Sequence, residues 1–145
     1  MEKGLNYYMK EKLHIKKVNP GMYSPLALAY IGDTVYDTII RTMVVSKGDM
    51  QVNKYHKKVT GYVKAEAQAT AIALIEDRLT EAEHAVYKRG RNAKSYSSAK
   101  NASMIDYRRA TGFEALIGYL YLDEQYERLV ELVTIGLDLE DKPEE

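Results

Sequence analysis

The sequence contains no cysteine and no tryptophan, and its apolar runs are short. The absence of cysteine excludes disulfide bonds and thiolate metal sites, and it fits a reducing cytoplasm. The three histidines, His14, His56 and His84, lack the spacing of paired ligands, so no zinc site is expected. No apolar stretch reaches the roughly 18 residues that span a bilayer, and residues 1–18 do not resemble a signal peptide. We therefore expect a cytoplasmic protein with no membrane partner.

The sequence also has no glycine-rich phosphate loop and no nucleophile elbow. Its zero net charge hides an asymmetry: Lys88 to Arg109 carries seven basic residues and one acidic residue, whereas Asp123 to Glu145 carries nine acidic and two basic. A local positive region attracts polyanions even when the whole molecule is neutral. The thirteen tyrosines suit core edges with hydrated hydroxyls, and stacking on nucleic acid is the alternative at a few of them.

The length of 145 residues suits one compact domain, and its apolar residues recur with a helical period. We find no convincing strand pattern and predict an all-α fold with a single domain over 25–139. Residues 1–24 form a loosely specified N-terminal extension in this interpretation, and 140–145 form an acidic tail. The predicted helices span about 25–46, 51–78 with a break near Gly61, 80–90, 103–122 and 124–139, and an exposed basic loop covers 91–102.

Local signals mark several helix ends. Ser24 before Pro25 is typical of an N-cap, and Thr80 followed by Glu83 is typical of a capping box. Apolar residues recur along the first long helix with a helical rather than an alternating period, at Ala27, Tyr30, Ile31, Val35 and Ile39. The fourth helix carries an apolar stripe on one face, formed by Phe113, Leu116, Ile117, Leu120 and Tyr121.

Two acidic residues interrupt apolar helices, each close to a glycine. Asp33 follows Gly32 within LALAYIGDTVYD, and Glu114 precedes Gly118 within FEALIGYLYL. An acid on an apolar face has to be paired, protonated or bound to a cation. Two carboxylates from separate helices suffice for Mg²⁺, which keeps several waters and takes phosphate oxygens as further ligands. The alternatives are an ion pair of Asp33 with a base one or two turns on (Arg41 or Lys47) and close helix packing at the glycines.

Basic residues form two further groups. The stretch KRGRNAKS mixes cations, backbone amides and short donors in a way that suits phosphate oxygens. Its alternative is a helix C-terminus whose cations oppose the helix dipole, followed by a solvated loop. The HKK stretch lies on a predicted helix and is either a phosphate contact or an ordinary solvated face. The candidate nucleic-acid-binding residues are Lys57, Lys58, Lys88, Arg89, Arg91, Asn92, Lys94 and Ser95.

Four motifs, in order, resemble Mini-ribonuclease III, the short bacterial form of ribonuclease III. They are LALAYIGDTVYD, HKK, KRGRNAKS and YRRATGFEALIGYLYL, and the match extends from about Leu26 to Leu132. The resemblance implies an all-α endonuclease that dimerises and cuts double-stranded RNA with Mg²⁺. It implies maturation of the ends of the large-subunit (23S) ribosomal RNA precursor, with assistance from a ribosomal protein as an open point. Asp33 and Glu114 match the family's catalytic, metal-binding acids.

The chain departs from full-length ribonuclease III at two acidic positions. Ala29 stands where those enzymes carry a glutamate, and Thr111 stands where they carry an aspartate. The Mini form shares both losses and lacks the separate double-stranded-RNA-binding domain. The resemblance therefore implies that the catalytic domain itself binds RNA and that Mg²⁺ activates water for in-line attack, leaving a 5′-phosphate. The competing hypotheses are a non-catalytic RNA-binding protein of ribosome assembly and a helical protein-interaction module.

Overall fold

The computed structural model describes residues 1–94 and 103–139. These residues form seven α-helices and two short 3₁₀ turns, with no strand among them. The all-α prediction is therefore confirmed. No helix within the described ranges combines the length and the apolarity needed to cross a bilayer. The helices are α1 Leu5–Leu13, α2 Pro25–Val45, α3 Val52–Val63, α4 Ala65–Ile75, α5 Glu81–Asn92, α6 Met104–Leu122 and α7 Tyr126–Gly136.

The predicted caps are present. The Ser24 hydroxyl accepts a hydrogen bond from the Ala27 amide at 3.1 Å, and Pro25 opens α2. The Thr80 hydroxyl accepts from the Glu83 amide, and the Glu83 carboxylate accepts from the Thr80 amide, which completes the capping box of α5. The break in the second helical region differs from its predicted place. It lies at Lys64, whose backbone is extended, and not at Gly61.

Helix α6 is the centre of the fold. It packs against α2, α4, α5 and α7, and it buries side chains around most of its circumference. A helix that is apolar on all sides belongs inside a core rather than on its surface. Four of the five stripe residues predicted for this helix are fully buried, and Tyr121 is half-buried. The buried residues of α6 are Ala110, Gly112, Phe113, Ala115, Leu116, Ile117, Gly118 and Leu120.

The apolar residues that recur along α2 do not define its core face, although Val35 and Ile39 pack against the core. Tyr30 is 82% exposed, and Ala27 is exposed too. The N-terminal half of α2 is apolar on every side, so the helical period there does not select one face. The contact with α6 selects it instead. The residues that α2 buries are Leu28, Ala29, Gly32, Tyr36, Ile40 and Val44.

The N-terminal segment contains a helix that the sequence did not suggest. Helix α1 buries none of its residues, which explains why no apolar period marked it. Lys10 of this helix and Lys17, which follows it, both pair with Glu124 in the turn between α6 and α7. The predicted acidic tail, 140–145, lies outside the described residues.

Candidate active site

Two glycines bring α2 and α6 into backbone contact. A Cβ atom built on Gly32 would lie 1.8 Å from the Glu114 carbonyl oxygen. A Cβ atom built on Gly118 would lie 1.9 Å from the Leu28 carbonyl oxygen. No side chain fits at either point, so both helices need glycine where they cross. Close helix packing, the alternative reason for these glycines, is therefore confirmed for both.

The same crossing brings Asp33 next to Glu114. Asp33 follows Gly32 on α2, and its carboxyl group is close enough to the Glu114 carboxyl group on α6 to raise the pKa of Glu114. Asp33 is exposed, whereas Glu114 is half-buried, so the pair forms a site that opens to solvent on one side. The alternative pairing of Asp33 with Arg41 is wrong, because Arg41 pairs with Asp37 at 3.0 Å.

The environment of Glu114 disfavours its charged form. Burial, followed by the hydrogen bond and the negative charge of Asp33, raises the pKa of Glu114 to about 8. A hydrogen bond from Gln68 acts in the opposite direction and is the smallest of these effects. At neutral pH the two acids therefore carry less than two negative charges between them. A cation placed at both carboxylates would relieve this repulsion and displace the proton.

The donor set fits Mg²⁺ better than a transition metal. The described residues contain no cluster of three or more histidine, cysteine or acidic side chains. Two carboxylates with room for water match the way Mg²⁺ is bound beside phosphates. Ala29 is buried and apolar, and the Thr111 hydroxyl donates to the Tyr107 carbonyl on its own helix at 3.0 Å. Neither residue replaces the carboxylate that full-length relatives carry at its position.

Gln68 is a member of this site that sequence reasoning missed. It lies on α4, is 3% exposed, and its Nε2 donates to the Glu114 carboxylate at 3.3 Å and to the Val63 carbonyl at 2.8 Å. The signal was weak: one glutamine in the alanine-rich helix AEAQATAIALI. Glutamine is an acceptable helix former, so its presence there did not stand out.

Helix α5 carries the main group of predicted RNA-binding residues and packs closely on α6. A Cβ atom built on Gly90 would lie 2.8 Å from the Ala115 Cβ atom, one residue from Glu114. The contact brings the C-terminal turns of α5 to the helix that carries the acid. Lys88, Arg89 and Asn92 are exposed there, Arg91 is half-buried, and Lys94 is exposed beyond the end of the helix; Ser95 lies outside the described residues.

Several of these side chains are held in place. Arg89 donates to the Tyr23 carbonyl at 3.1 Å, which links α5 to the segment before α2. The Arg91 guanidinium lies 5.6 Å from the centre of the Tyr87 ring and also donates to Asn92 at 3.3 Å. A stacked guanidinium keeps donors free for a phosphate.

The two remaining predicted residues, Lys57 and Lys58, lie apart from α5. Both are exposed on α3, which packs against α2 and α4. A groove of about 880 Å³ runs along α5 and is lined by Lys88 and Arg89, but neither acid of the site lines it. The predicted cations therefore lie on two different helices, α3 and α5, with Lys94 just beyond the end of α5.

Comparison with known proteins gives consistent matches. Residues 26–125 match the family model described as the ribonuclease III domain. The chain is 51% identical over 137 residues to Mini-ribonuclease 3 of Clostridium tetani, covering 92% of this chain and 87% of that protein. It is 53% identical over 110 residues to Mini-ribonuclease 3 of Enterococcus faecalis, covering 74% and 83%. A crystal structure of a Fusobacterium nucleatum protein superposes with a TM-score of 0.74 at 28% identity, covering 82% of this chain and 95% of that one.

Proposed function

We propose a mechanism of RNA cleavage for this chain, which belongs to the ribonuclease III family and, within it, to the Mini-ribonuclease III group. The chain is accordingly an endoribonuclease that acts on double-stranded RNA in ribosomal RNA processing. The observation that carries the proposed mechanism is the contact between Asp33 and Glu114 at the crossing of α2 and α6.

Asp33 and Glu114 are the catalytic residues in this proposal, and together they would hold Mg²⁺ directly or through water. When bound, the ion supplies an activated water and neutralises charge on the phosphodiester in the transition state. Asp33 is exposed and faces the substrate side, whereas Glu114 is half-buried and anchors the pair to the core helix. Holding two carboxylates side by side fixes the reacting geometry, and small displacements of such groups have large effects on rate.

The basic residues of α5 hold the RNA backbone. Duplex RNA is bound mostly through its shape, its phosphates and its 2′-hydroxyls. Lys88, Arg89 and Lys94 contact phosphates, and Asn92 reaches a 2′-hydroxyl. Lys57 and Lys58 extend the contact from α3. Such a set binds duplex RNA tightly but selects its sequence poorly.

The active enzyme is a homodimer in this proposal, so that two sites each cut one strand. Its support is an exposed apolar surface around the N-terminus of α2, which a second copy would cover. Met22 is 80% exposed, Tyr30 is 82% exposed, and Tyr23 and Leu26 are each 39% exposed. Light scattering that finds a monomer at concentrations where RNA is cut would contradict this assembly.

The proposed substrate is double-stranded RNA at the 5′ and 3′ ends of the large-subunit (23S) ribosomal RNA precursor. Action on that precursor would take place in the cytoplasm, and the two candidate conditions are the chain alone and the chain assisted by a ribosomal protein. Cleavage of the precursor transcript, with and without bound ribosomal proteins, measures both points. A precursor transcript that stays uncut under conditions where other duplexes are cleaved would contradict the assigned substrate.

A cleavage assay on duplex RNA with Mg²⁺ tests the mechanism. We expect Asp33→Asn and Glu114→Gln each to lower the cleavage rate by more than about 100-fold, because each removes a carboxylate from the metal site. The matched control is Asp37→Asn, which changes the next acid of α2 and removes only the ion pair with Arg41. The control is expected to cut like the parent.

The second candidate function, a non-catalytic RNA-binding protein, is motivated by the two positions without carboxylates. Ala29 and Thr111 leave the site with only Asp33 and Glu114 among the acids that full-length relatives use. Binding of duplex RNA by the parent chain, with no cleavage at any Mg²⁺ concentration, would support this candidate. Cleavage by the parent and loss of cleavage in Asp33→Asn would reject it.

A further inference from the structure

Two polar side chains, Glu83 and Gln68, are buried among the described residues. Glu83 completes the cap of α5 and is paired with Arg128 at 2.9 Å. Gln68 is 3% exposed in an otherwise apolar stretch of α4, and its amide donates to the carbonyl of Val63, the last residue of α3. A buried polar group lowers stability unless its hydrogen bonds are satisfied.

The nitrogen of the Gln68 side chain is fully used. Its Nε2 donates to the Val63 carbonyl at 2.8 Å and to the Glu114 carboxylate at 3.3 Å. The first acceptor is available because the chain is extended at Lys64, between α3 and α4. With both hydrogens donated to fixed acceptors, the amide plane has one orientation, and Glu114 is tied to the end of α3.

The oxygen of the same amide is not satisfied. Gln68 Oε1 is buried and has no hydrogen-bond partner within the described part of the chain. A buried acceptor without a donor destabilises the fold, and an apolar side chain of the same length would avoid that cost. The bond to the Val63 carbonyl satisfies the C-terminus of α3. The second bond, to the Glu114 carboxylate, connects the amide to the acid pair.

We propose that Gln68 is a positioning residue for Glu114, and that its amide fixes the carboxylate beside Asp33 in the orientation that binds Mg²⁺. The inference rests on the proposed function, since it assumes that this pair of acids holds the ion. The amide stands beside a metal site that has two carboxylates fewer than that of full-length relatives. A neutral donor orients one of the two that remain without adding negative charge to the pair.

The test measures Mg²⁺ binding to the RNA-free protein by isothermal titration calorimetry. Gln68→Met keeps the length of the side chain and removes the donor, and Gln68→Asn keeps the amide but withdraws it from Glu114. We expect both variants to bind Mg²⁺ about 10- to 100-fold more weakly than the parent, which is the usual effect of losing a partner of a metal ligand. The matched control is Thr70→Val on the same helix, where the exposed hydroxyl bonds only to the Glu66 carbonyl.

Cleavage kinetics separate positioning from a purely structural role. We expect the Gln68 variants to keep the KM of the parent for duplex RNA, because the basic residues that bind the backbone lie on other helices. Their kcat should fall at low Mg²⁺ and recover at high Mg²⁺. Parent-like Mg²⁺ affinity in a folded Gln68→Met variant would overturn the proposal. A loss of kcat that no Mg²⁺ concentration restores would overturn it as well.

The parent chain provides a measurement that needs no variant to fold. In its NMR spectrum, the Gln68 side-chain amide resonance should shift as Mg²⁺ is added, because its acceptor becomes a metal ligand. An unchanged resonance during saturation with Mg²⁺ would reject the positioning role of Gln68 and leave the proposed function in place. A parent that neither binds Mg²⁺ nor cuts duplex RNA would instead reject the proposed function, and with it this inference.

Discussion

Replacing Gly32 by alanine should damage both the fold and the active site. The added methyl group would lie 1.8 Å from the Glu114 carbonyl oxygen and 2.8 Å from the Gly118 nitrogen, and both of these atoms belong to the backbone of α6. Backbone atoms cannot turn aside as a flexible side chain does. Moving the carbonyl oxygen to even 3.0 Å requires α2 and α6 to separate by about 1.2 Å at the place where the two acids meet.

The expected magnitude follows from two opposing effects. Alanine is favoured over glycine within a helix by about 1 kcal/mol, whereas forcing a methyl group into a packed interface costs about 1–3 kcal/mol or more. Because this contact is between two backbones at the centre of the fold, we expect the steric cost to dominate. The net loss should be about 2 kcal/mol in the free energy of unfolding, or a fall in Tm of roughly 5 °C. A shift of about 1 Å between catalytic groups also lowers the rate about 100-fold.

Gly61→Ala is the matched control, since Gly61 also lies within a helix but has no atom within 4 Å of the point where the added methyl group would lie. This variant should gain about 0.5–1 kcal/mol from helix propensity and cut RNA like the parent. Thermal denaturation followed by circular dichroism measures the stability of each variant, and duplex cleavage measures its activity. A Gly32→Ala variant as stable and as active as the parent would refute the claim that this contact sets the geometry of the acids.

Three further predictions concern charge. Hydrogen bonds from Arg128 lower the pKa of Glu83. The contribution of Glu83 to the free energy of unfolding is therefore present above its unfolded-state pKa and is lost as the pH falls through its folded-state pKa. The Glu83→Gln variant should therefore lose stability less steeply than the parent as the pH falls, and it should be about 1.5–3 kcal/mol less stable at neutral pH. An equally steep loss of stability in both proteins would contradict this. Because the pKa of Glu114 is raised to about 8, Mg²⁺ affinity measured by calorimetry should rise about tenfold per pH unit up to that value and then level off. A pH-independent affinity would count against the raised pKa of Glu114. Removing one phosphate contact with Lys94→Ala should reduce the slope of log K for RNA against log salt by about 0.9, and an unchanged slope would remove Lys94 from the interface.

Local features of the fold could be predicted from the sequence. The caps at Ser24 and Thr80 depend on neighbouring residues only, so the helices that follow begin where the sequence indicates. The core stripe of α6 was predicted correctly for four of its five residues, which pack against other helices. The core face of α2 was not, because apolar residues on every side of its first turns leave the choice to the contact of Gly32 with α6.

The candidate site was predictable only in part. Asp33 and Glu114 stood out as acids within apolar helices, and the contact that the structure gives them depends on two glycines 86 residues apart in the sequence. Gln68 gave no comparable signal, since its partners, the Val63 carbonyl and Glu114, come together only after α3, α4 and α6 have packed. Helix α1 was missed because it buries none of its residues, so no apolar period marks it in the sequence.

The reciprocal contact of Gly32 and Gly118 has a dynamic consequence. With backbone against backbone and no side chain between them, α2 and α6 cannot slide or part locally without breaking the central packing of the fold. The two acids therefore move as one rigid unit, and their amide hydrogens should exchange with solvent only when the whole domain unfolds. Any opening and closing step during turnover must then occur in the RNA, or in elements outside this helix pair, because the catalytic centre itself has no hinge.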